Sequence, residues 1–160
     1  MDEYVNWGRW FSILHRRSQL FVMEACQKYG LTFSEYSMLI RLYEHEGAKQ
    51  DELAAMLYLD KAVVTRTVNM LVDKGFIYRE ADMQDRRIRH IYLTEFGRQQ
   101  HDYLRSVIQG WVDYLVEDMD RSEVKELFNG FRKLVEKACD ADLVDLAKHL
   151  PTGGAVREKL

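Results

Sequence analysis

Apolar side chains recur every three or four positions along most of this chain and alternate only briefly. From Val5 to Tyr29 they fall at Trp7, Trp10, Phe11, Leu14, Phe21, Val22, Ala25 and Tyr29, the spacing of an amphipathic helix, with Gly30 as its stop. The stretch "TFSE" reads as a capping box from Thr32 to Glu35. It opens a helix with Tyr36, Leu39, Ile40 and Tyr43 on one side, ending near Gly47. A short helix follows, with Leu53, Ala54 and Leu57 inward and Lys49 at its cap, a poor N-cap beside Ser or Thr. Asp60 is expected to cap the next helix, whose buried stripe is Val64, Val68 and Leu71 and whose stop is Gly75. "FIYRE" and "IRHIYL" are short, β-branched and aromatic, and the polar "ADMQDRR" between them predicts a hairpin with a long loop. Thr94 caps a further helix through Trp111 and Leu115 to about Asp118. "DRSE" at Asp120 opens the last one, whose apolar pattern extends through Leu143 and Leu146 to Leu150. Pro151 ends it, and residues 151–160 read as a loose tail.

The predicted fold is mainly α with a small β-hairpin. The order helix, short helix, turn, helix, hairpin over about 33–94 is a winged helix-turn-helix, in which the second helix of the pair lies in the major groove of DNA. Its outward face is Lys61, Ala62, Val63, Arg66 and Asn69, with Thr65 at the edge. Arg66 suits a bidentate pair with guanine, Asn69 suits adenine, and Ala62 and Val63 suit a thymine methyl. The hairpin tip crowds Arg86, Arg87 and Arg89 beside His90, a grouping suited to the negative potential of a narrow minor groove. Asp82 and Asp85 are expected to brace neighbouring arginines, and Arg79 is divided between a phosphate contact and bracing.

Composition changes this picture little. The 160 residues are 47 % hydrophobic and 31 % charged, with one Pro, as expected of a single globular domain rich in helix. The net charge of −3 excludes a chain that is basic throughout but not a local patch. Between Tyr58 and His90 seven basic residues face five acidic ones, whereas between Asp113 and Asp145 five basic residues face ten acidic ones. That asymmetry assigns the middle and the C-terminal part different jobs. No apolar run approaches the ~18 residues of a membrane span, and the acidic, aromatic start is unlike a secretory signal. Cys26 and Cys139 match no metal spacing, and a cytoplasmic, reduced protein is the default. No cofactor is expected. The five histidines are scattered, and no nucleophile–base pair or glycine-rich phosphate loop points to an enzyme.

The block "LDKAVVTRTVNMLVDKGFIYREADMQDRRIRHIYLTEFGRQ" resembles the signature of the MarR (multiple-antibiotic-resistance regulator) family. The matching features are Asp60-Lys61, Thr65-Arg66, Leu71, Lys74-Gly75, Arg79, the Asp85-Arg86-Arg87 triplet and Leu93-Thr94 before Gly97. The resemblance implies a homodimeric regulator on a pseudo-palindromic operator, usually a repressor, with dimerisation helices at about 4–30 and 95–150 within one domain spanning 1–160. It implies DNA contacts from Lys61, Ala62, Val63, Thr65, Arg66, Asn69, Arg79, Arg86, Arg87 and Arg89, with Asp85 shaping the wing. The family often has Ser and Thr where this chain has Ala62 and Val63, so the operator sequence does not carry over. Small ligands or oxidants often tune such regulators. Trp7, Trp10, Phe11, Tyr36 and Tyr43, with His15, Arg16 or Arg41 as polar partner, form either core and dimer packing or a pocket for a small aromatic effector. Cys26 is either a buried hydrophobe or a redox sensor. A winged helix that only docks other proteins is the alternative from another class.

Overall fold

Helix α1 runs Glu3–Ala25 and passes through a 3-10 turn, Gln27–Tyr29, into Gly30, whose φ of 60° ends it in the left-handed region. The structure, a computed structural model, describes residues 3–150. Helix α2, Phe33–Glu44, starts as its sequence dictates: the Glu35 N–H donates to Thr32 Oγ1 (3.3 Å) and the Thr32 N–H donates to Glu35 Oε2 (2.7 Å). Helices α3 (Gln50–Leu57) and α4 (Lys61–Asp73) follow across a turn in which Tyr58 is left-handed. Glu52 accepts the Lys49 N–H at 2.8 Å, so the weak cap of α3 is helped from inside the helix. Asp60 sits at the N-cap of α4, but its carboxylate makes no cap hydrogen bond, contrary to expectation.

The end of α4 positions the hairpin. The Gly75 N–H bonds the Val72 carbonyl and the Phe76 N–H bonds the Leu71 carbonyl, at 2.9 and 3.0 Å, with φ of Gly75 at 74°. This double bond pattern needs a left-handed residue, which glycine supplies without strain. Strand β1, Ile77–Ala81, then pairs antiparallel with β2, Arg89–Leu93, from Ile77 opposite Leu93 to Ala81 opposite Arg89. The other edge of β2 is also held. The Ile91 N–H donates to the Ala48 carbonyl (3.0 Å), the Gly47 N–H donates to the Ile91 carbonyl (2.8 Å), and Lys49 and His90 form a bridge. The hairpin is thereby fastened to the turn between α2 and α3.

Thr94 caps α5, Glu95–Gln99, through the Gly97 N–H (3.0 Å). A side chain at Gly97 would stand 2.2 Å from the Phe76 carbonyl oxygen, so only glycine allows α5 to lie this close. The single helix expected from Thr94 to about Asp118 is divided at Gln100, whose N–H turns back to Gly97 O (3.2 Å), before α6, His101–Leu115. The core joins Val22 and Cys26 of α1, Met38, Leu39 and Leu42 of α2, Leu53 of α3, Val64, Val68 and Leu71 of α4, and Leu104 of α6, all fully buried.

One buried charge belongs to this core. Glu35 is fully enclosed, and its second oxygen accepts from Lys74 Nζ at 2.6 Å, which also donates to the Gly30 carbonyl at 2.6 Å. The start of α2 and the end of α4 are joined at this point.

The backbone contacts separate a unit ending at Leu115 from one beginning at Val116. In the second, Asp120 caps α7, Arg121–Cys139, through the N–H groups of Ser122 (2.7 Å) and Glu123 (3.0 Å). The apolar pattern expected to run unbroken to Leu150 is interrupted, because Asp142 caps a separate α8, Leu143–Lys148. The tail at 151–160 lies outside the described residues. No helix of the described residues is long and apolar enough to cross a membrane.

Replacing Lys74 with Met leaves the enclosed Glu35 carboxylate without its cation. Losing one partner of a buried pair costs about 3–5 kcal/mol, and the partial exposure of Lys74 puts the expected loss near the lower end. Chemical denaturation checks this, with the double variant Glu35→Gln, Lys74→Met recovering much of the stability. An unchanged midpoint for Lys74→Met contradicts the assignment.

Candidate nucleic-acid interface

Helix α4 is two-faced because its apolar positions recur on one side only. Val64, Thr67, Val68 and Leu71 are buried, and Lys61, Ala62, Thr65, Arg66 and Asn69 are exposed. Val63, expected on the outward face, is half-buried. Two contacts set the start of α4 against α3: Lys61 Nζ meets Asp51 Oδ2 at 3.0 Å, and Gln50 Nε2 donates to Thr65 Oγ1 at 3.3 Å. Among the described residues, no hydrogen bond or ion pair engages the Arg66 side chain.

The tip of the hairpin is organised by its acids. Asp82 Oδ1 accepts the N–H groups of Gln84 (2.8 Å) and Asp85 (3.0 Å), and Asp85 Oδ1 accepts the Arg87 N–H (2.9 Å). Of the two acids expected to brace neighbouring arginines, Asp85 holds Arg87 through its backbone N–H, and Asp82 holds the backbone of Gln84 and Asp85. The guanidinium groups of Arg86, Arg87 and Arg89 are exposed, with no ion pair among the described residues. Arg87 and Arg89 line an open cleft of about 410 Å³ together with Lys49, Gln50, Asp51, Lys61, Thr65 and Ile88. Arg86 and Arg89 line a second hollow beside Asp82 and Met83. The α4 start and the hairpin thus share a surface.

Arg79 is engaged within the subunit. Its Nη2 donates to Asn69 Oδ1, and its Nε is buried without a hydrogen-bond partner. Arginine only donates, so the Asn69 carbonyl must face it. A bidentate pair with adenine uses that same carbonyl, so the expected adenine contact of Asn69 gives way to a tie between α4 and β1. His90, counted with the arginines in the sequence, is also a tie: Nδ1 lies 2.7 Å from the Gly47 carbonyl and Nε2 3.0 Å from Asp82 Oδ2. Sequence reasoning missed this role. The signal present was its place in β2, between the inward residues Ile91 and Leu93 on one side and the tip on the other.

The residues expected to converge on an effector have different neighbours. The Tyr36 hydroxyl donates to the Leu104 carbonyl (2.9 Å), and that of Tyr43 donates to the Gly97 carbonyl (2.7 Å), so both belong to the packing of α2 on α5 and α6. Burial pushes the Tyr36 phenol up to about 12 and raises that of Tyr43 further. Trp10 lies in an open groove with Ile13, Leu14, Arg17, Trp111, Tyr114 and Leu115, and Trp7 is 53 % exposed. His15 meets the ring of Phe33 edge-on at 5.7 Å, and Arg41 pairs with Glu44 at 3.0 Å. Periodicity placed these residues on helix faces without fixing which neighbours they meet. A different cleft, of about 430 Å³, opens between α1 and α2 beside Arg16, Leu20, Met23 and Phe33.

Cys26 is fully buried, and burial pushes its thiol up against the weaker opposing pull of Lys28. The ammonium of Lys28 stands over the rings of Tyr103 (3.9 Å) and Tyr29 (4.7 Å). Such a thiol is a packing group with little thiolate character, and nothing in this geometry supports redox sensing by Cys26.

A two-faced helix set after a short partner helix and beside a basic hairpin is a winged helix-turn-helix. The sequence model of the MarR family matches residues 31–88. The chain is 30 % identical over 115 residues to the HTH-type transcriptional regulator BilQ of Clostridium symbiosum, covering 72 % of this chain and 80 % of that one. It superimposes with a TM-score of 0.79 on the crystal structure of MarR, at 31 % identity, covering 86 % of this chain and 94 % of that one. It superimposes equally, with a TM-score of 0.79 and 28 % identity, on a MarR transcriptional regulator from Methanosarcina mazei, covering 82 % and 94 %. The chain belongs to the MarR family. Its relatives are transcriptional regulators and not enzymes.

The two cysteines should differ sharply toward an alkylating agent. In the native protein at neutral pH, iodoacetamide should modify the exposed Cys139 and leave Cys26 untouched until denaturant is added, as read by peptide mass spectrometry. Rapid native modification of Cys26 contradicts its assignment to the core.

Proposed function

We propose that this regulator works as a homodimer that lays α4 of each subunit in the major groove of one half-site and the arginine-tipped hairpin in the flanking minor groove. The observation that carries the reading is the cleft to which α4 contributes Lys61 and Thr65 and the hairpin contributes Arg87 and Arg89. A duplex meeting that cleft meets both elements together. Arg66, exposed on the same helix, is the proposed base-reading side chain, with Ala62 and Thr65 beside it. Arg86, Arg87 and Arg89 are the proposed backbone and minor-groove contacts, with Lys61 partly neutralised by Asp51. Asn69, Arg79 and Asp85 are proposed to position these groups.

Support for a homodimer comes from the exposed apolar side chains. Trp10, Phe11 and Leu14 on α1, Tyr114 and Leu115 at the end of α6, and Leu127, Phe131 and Leu134 on α7 are each more than two-fifths exposed. Apolar faces of this extent mark interaction surfaces. A twofold dimer implies a pseudo-palindromic operator with half-sites about one helical turn apart. Repression by occupancy of that operator is the expectation carried by the family resemblance. An aromatic effector fits the α1–α2 cleft, whose volume is that of a small-molecule site, better than the dispersed tyrosines and tryptophans. A pure protein-docking role leaves the unpaired arginines of α4 and the tip without employment.

Replacing Arg86 and Arg87 together with Ala should weaken binding to every duplex and lower the slope of log affinity against log salt by about 1 for each phosphate left without its arginine. Arg66→Ala should instead relax base preference at one position per half-site, by roughly 1–3 kcal/mol. Fluorescence anisotropy across a salt series, with selection from a randomised duplex pool, separates the two. A double variant that binds with the wild-type slope contradicts the role given to the tip.

A further inference from the structure

The ring of His90 sits between two oxygens that can only accept. The Gly47 carbonyl lies 2.7 Å from Nδ1, and Asp82 Oδ2 lies 3.0 Å from Nε2. A neutral imidazole carries one N–H, so it can satisfy one of the two and must turn a lone pair toward the other. The imidazolium carries two and satisfies both. The carboxylate on one side is the one that builds the tip, since Asp82 Oδ1 holds the N–H groups of Gln84 and Asp85. The carbonyl on the other side belongs to the turn after α2, whose Gly47 N–H is already bonded to the Ile91 carbonyl.

Resting on the DNA-binding reading above, we propose that His90 is a positioning residue of the hairpin: as an imidazolium it ties the segment carrying Arg86 and Arg87 to the turn after α2, and loss of its proton loosens that segment and weakens the grip on DNA. The tip is therefore presented to a duplex in a proton-dependent way, and binding takes up protons.

The surroundings set the direction. Asp82 is held down to about 2, first by the Asp85 N–H, then by His90 and the Gln84 N–H, so it stays ionised wherever the imidazole titrates. His90 is raised above its ordinary value, first by the Gly47 carbonyl and then by Asp82, against partial desolvation and the opposing charge of Lys49. Lys49 faces it across the bridge from the N-cap of α3. Glu80 stands opposite it on β1, and the Tyr92 ring is 6.4 Å away on its own strand. Beside Gly47, Glu46 is committed to the Leu93 N–H and to Arg98, and His45 is exposed. Arg89, next in the strand, is exposed. Because the folded value is raised, the clamp is complete below the ordinary imidazole value of about 6.5 and is lost as pH rises through the folded value. At most one proton per subunit is linked to binding, which caps the slope at about tenfold in affinity per pH unit for each subunit.

The test is made on the full chain. Ring and amide NMR signals of the free protein are followed through the imidazole range, and affinity for a fluorescein-labelled mixed-sequence duplex is measured at fixed low salt from about pH 6 to about pH 8.5. The backbone amides of Gln84 and Asp85 should titrate together with the His90 ring, and duplex affinity should fall several-fold over that range. His90→Gln should flatten the profile at the weaker level, whereas His45→Gln should keep the wild-type slope. Asp82→Asn should hold its affinity at alkaline pH, because its amide donates to the neutral ring while its carbonyl still accepts from Gln84 and Asp85. A His90→Gln protein with the wild-type pH profile overturns the proposal, as do tip amides that ignore the ring titration. Should His90→Gln fail to fold, the wild-type titration and Asp82→Asn decide the matter. A chain that binds no duplex at any pH defeats the DNA-binding reading, while the ring titration still reports on the clamp.

Discussion

The reading surface depends on the fact that α4 must do two things with one cylinder. Val64, Val68 and Leu71 close the core from one side, and burying such side chains stabilises the fold by roughly 1.5–3 kcal/mol each. That burial leaves the rotation of the helix no freedom, and Arg66 faces outward as a consequence. The salt bridge between Lys74 and the enclosed Glu35 holds the far end. A buried ion pair is a poor source of net stability but a demanding one geometrically. Its position, joining the first turn of α2 to the C-cap of α4, suits the second property.

The hairpin is registered against the same body three times. Gly75 and Phe76 launch it from the end of α4, Arg79 ties β1 to Asn69, and Ile91 and His90 fasten β2 to the turn after α2. Acidic residues beside the arginines of the tip look contrary, yet both have backbone to hold. Asp82 and Asp85 each turn one oxygen to the amides of the tip, and the guanidinium groups project from the turn those amides form. A net negative chain can therefore carry a concentrated positive edge, since only local potential matters within a Debye length.

What is legible in the sequence is local. The Thr32–Glu35 box, the one-sided stripe of α4, the glycine at 75 and the two β-branched, aromatic strands around a polar loop each depend on neighbours within a few positions, and the structure reproduces them. What is not legible pairs distant residues. Nothing near Lys74 in sequence names Glu35, 39 residues away. Asn69 reads as a base reader until Arg79 engages its carbonyl, and Tyr36 and Tyr43 stay divided between packing and a pocket until Leu104 and Gly97 supply acceptors. Periodicity assigns a face, and the identity of the partner on that face is a tertiary fact. The breaks at Gln100 and at Asp142 are hidden for a related reason: apolar spacing continues across both, and only the cap hydrogen bonds reveal the interruption.

One surface is held to carry both grips, α4 at the base edges and the hairpin tip beside them. Tethered hydroxyl-radical cleavage measures this most directly. In a Cys139→Ser background, an iron chelate is attached either at Ala62→Cys on α4 or at Arg86→Cys on the tip, and the cuts on a bound operator duplex are mapped. Cuts centred in the half-site major groove are expected from position 62, and cuts displaced to the flanking minor groove from position 86. Cleavage from position 86 that is absent or scattered over the duplex, beside focused cleavage from position 62, would contradict the shared surface.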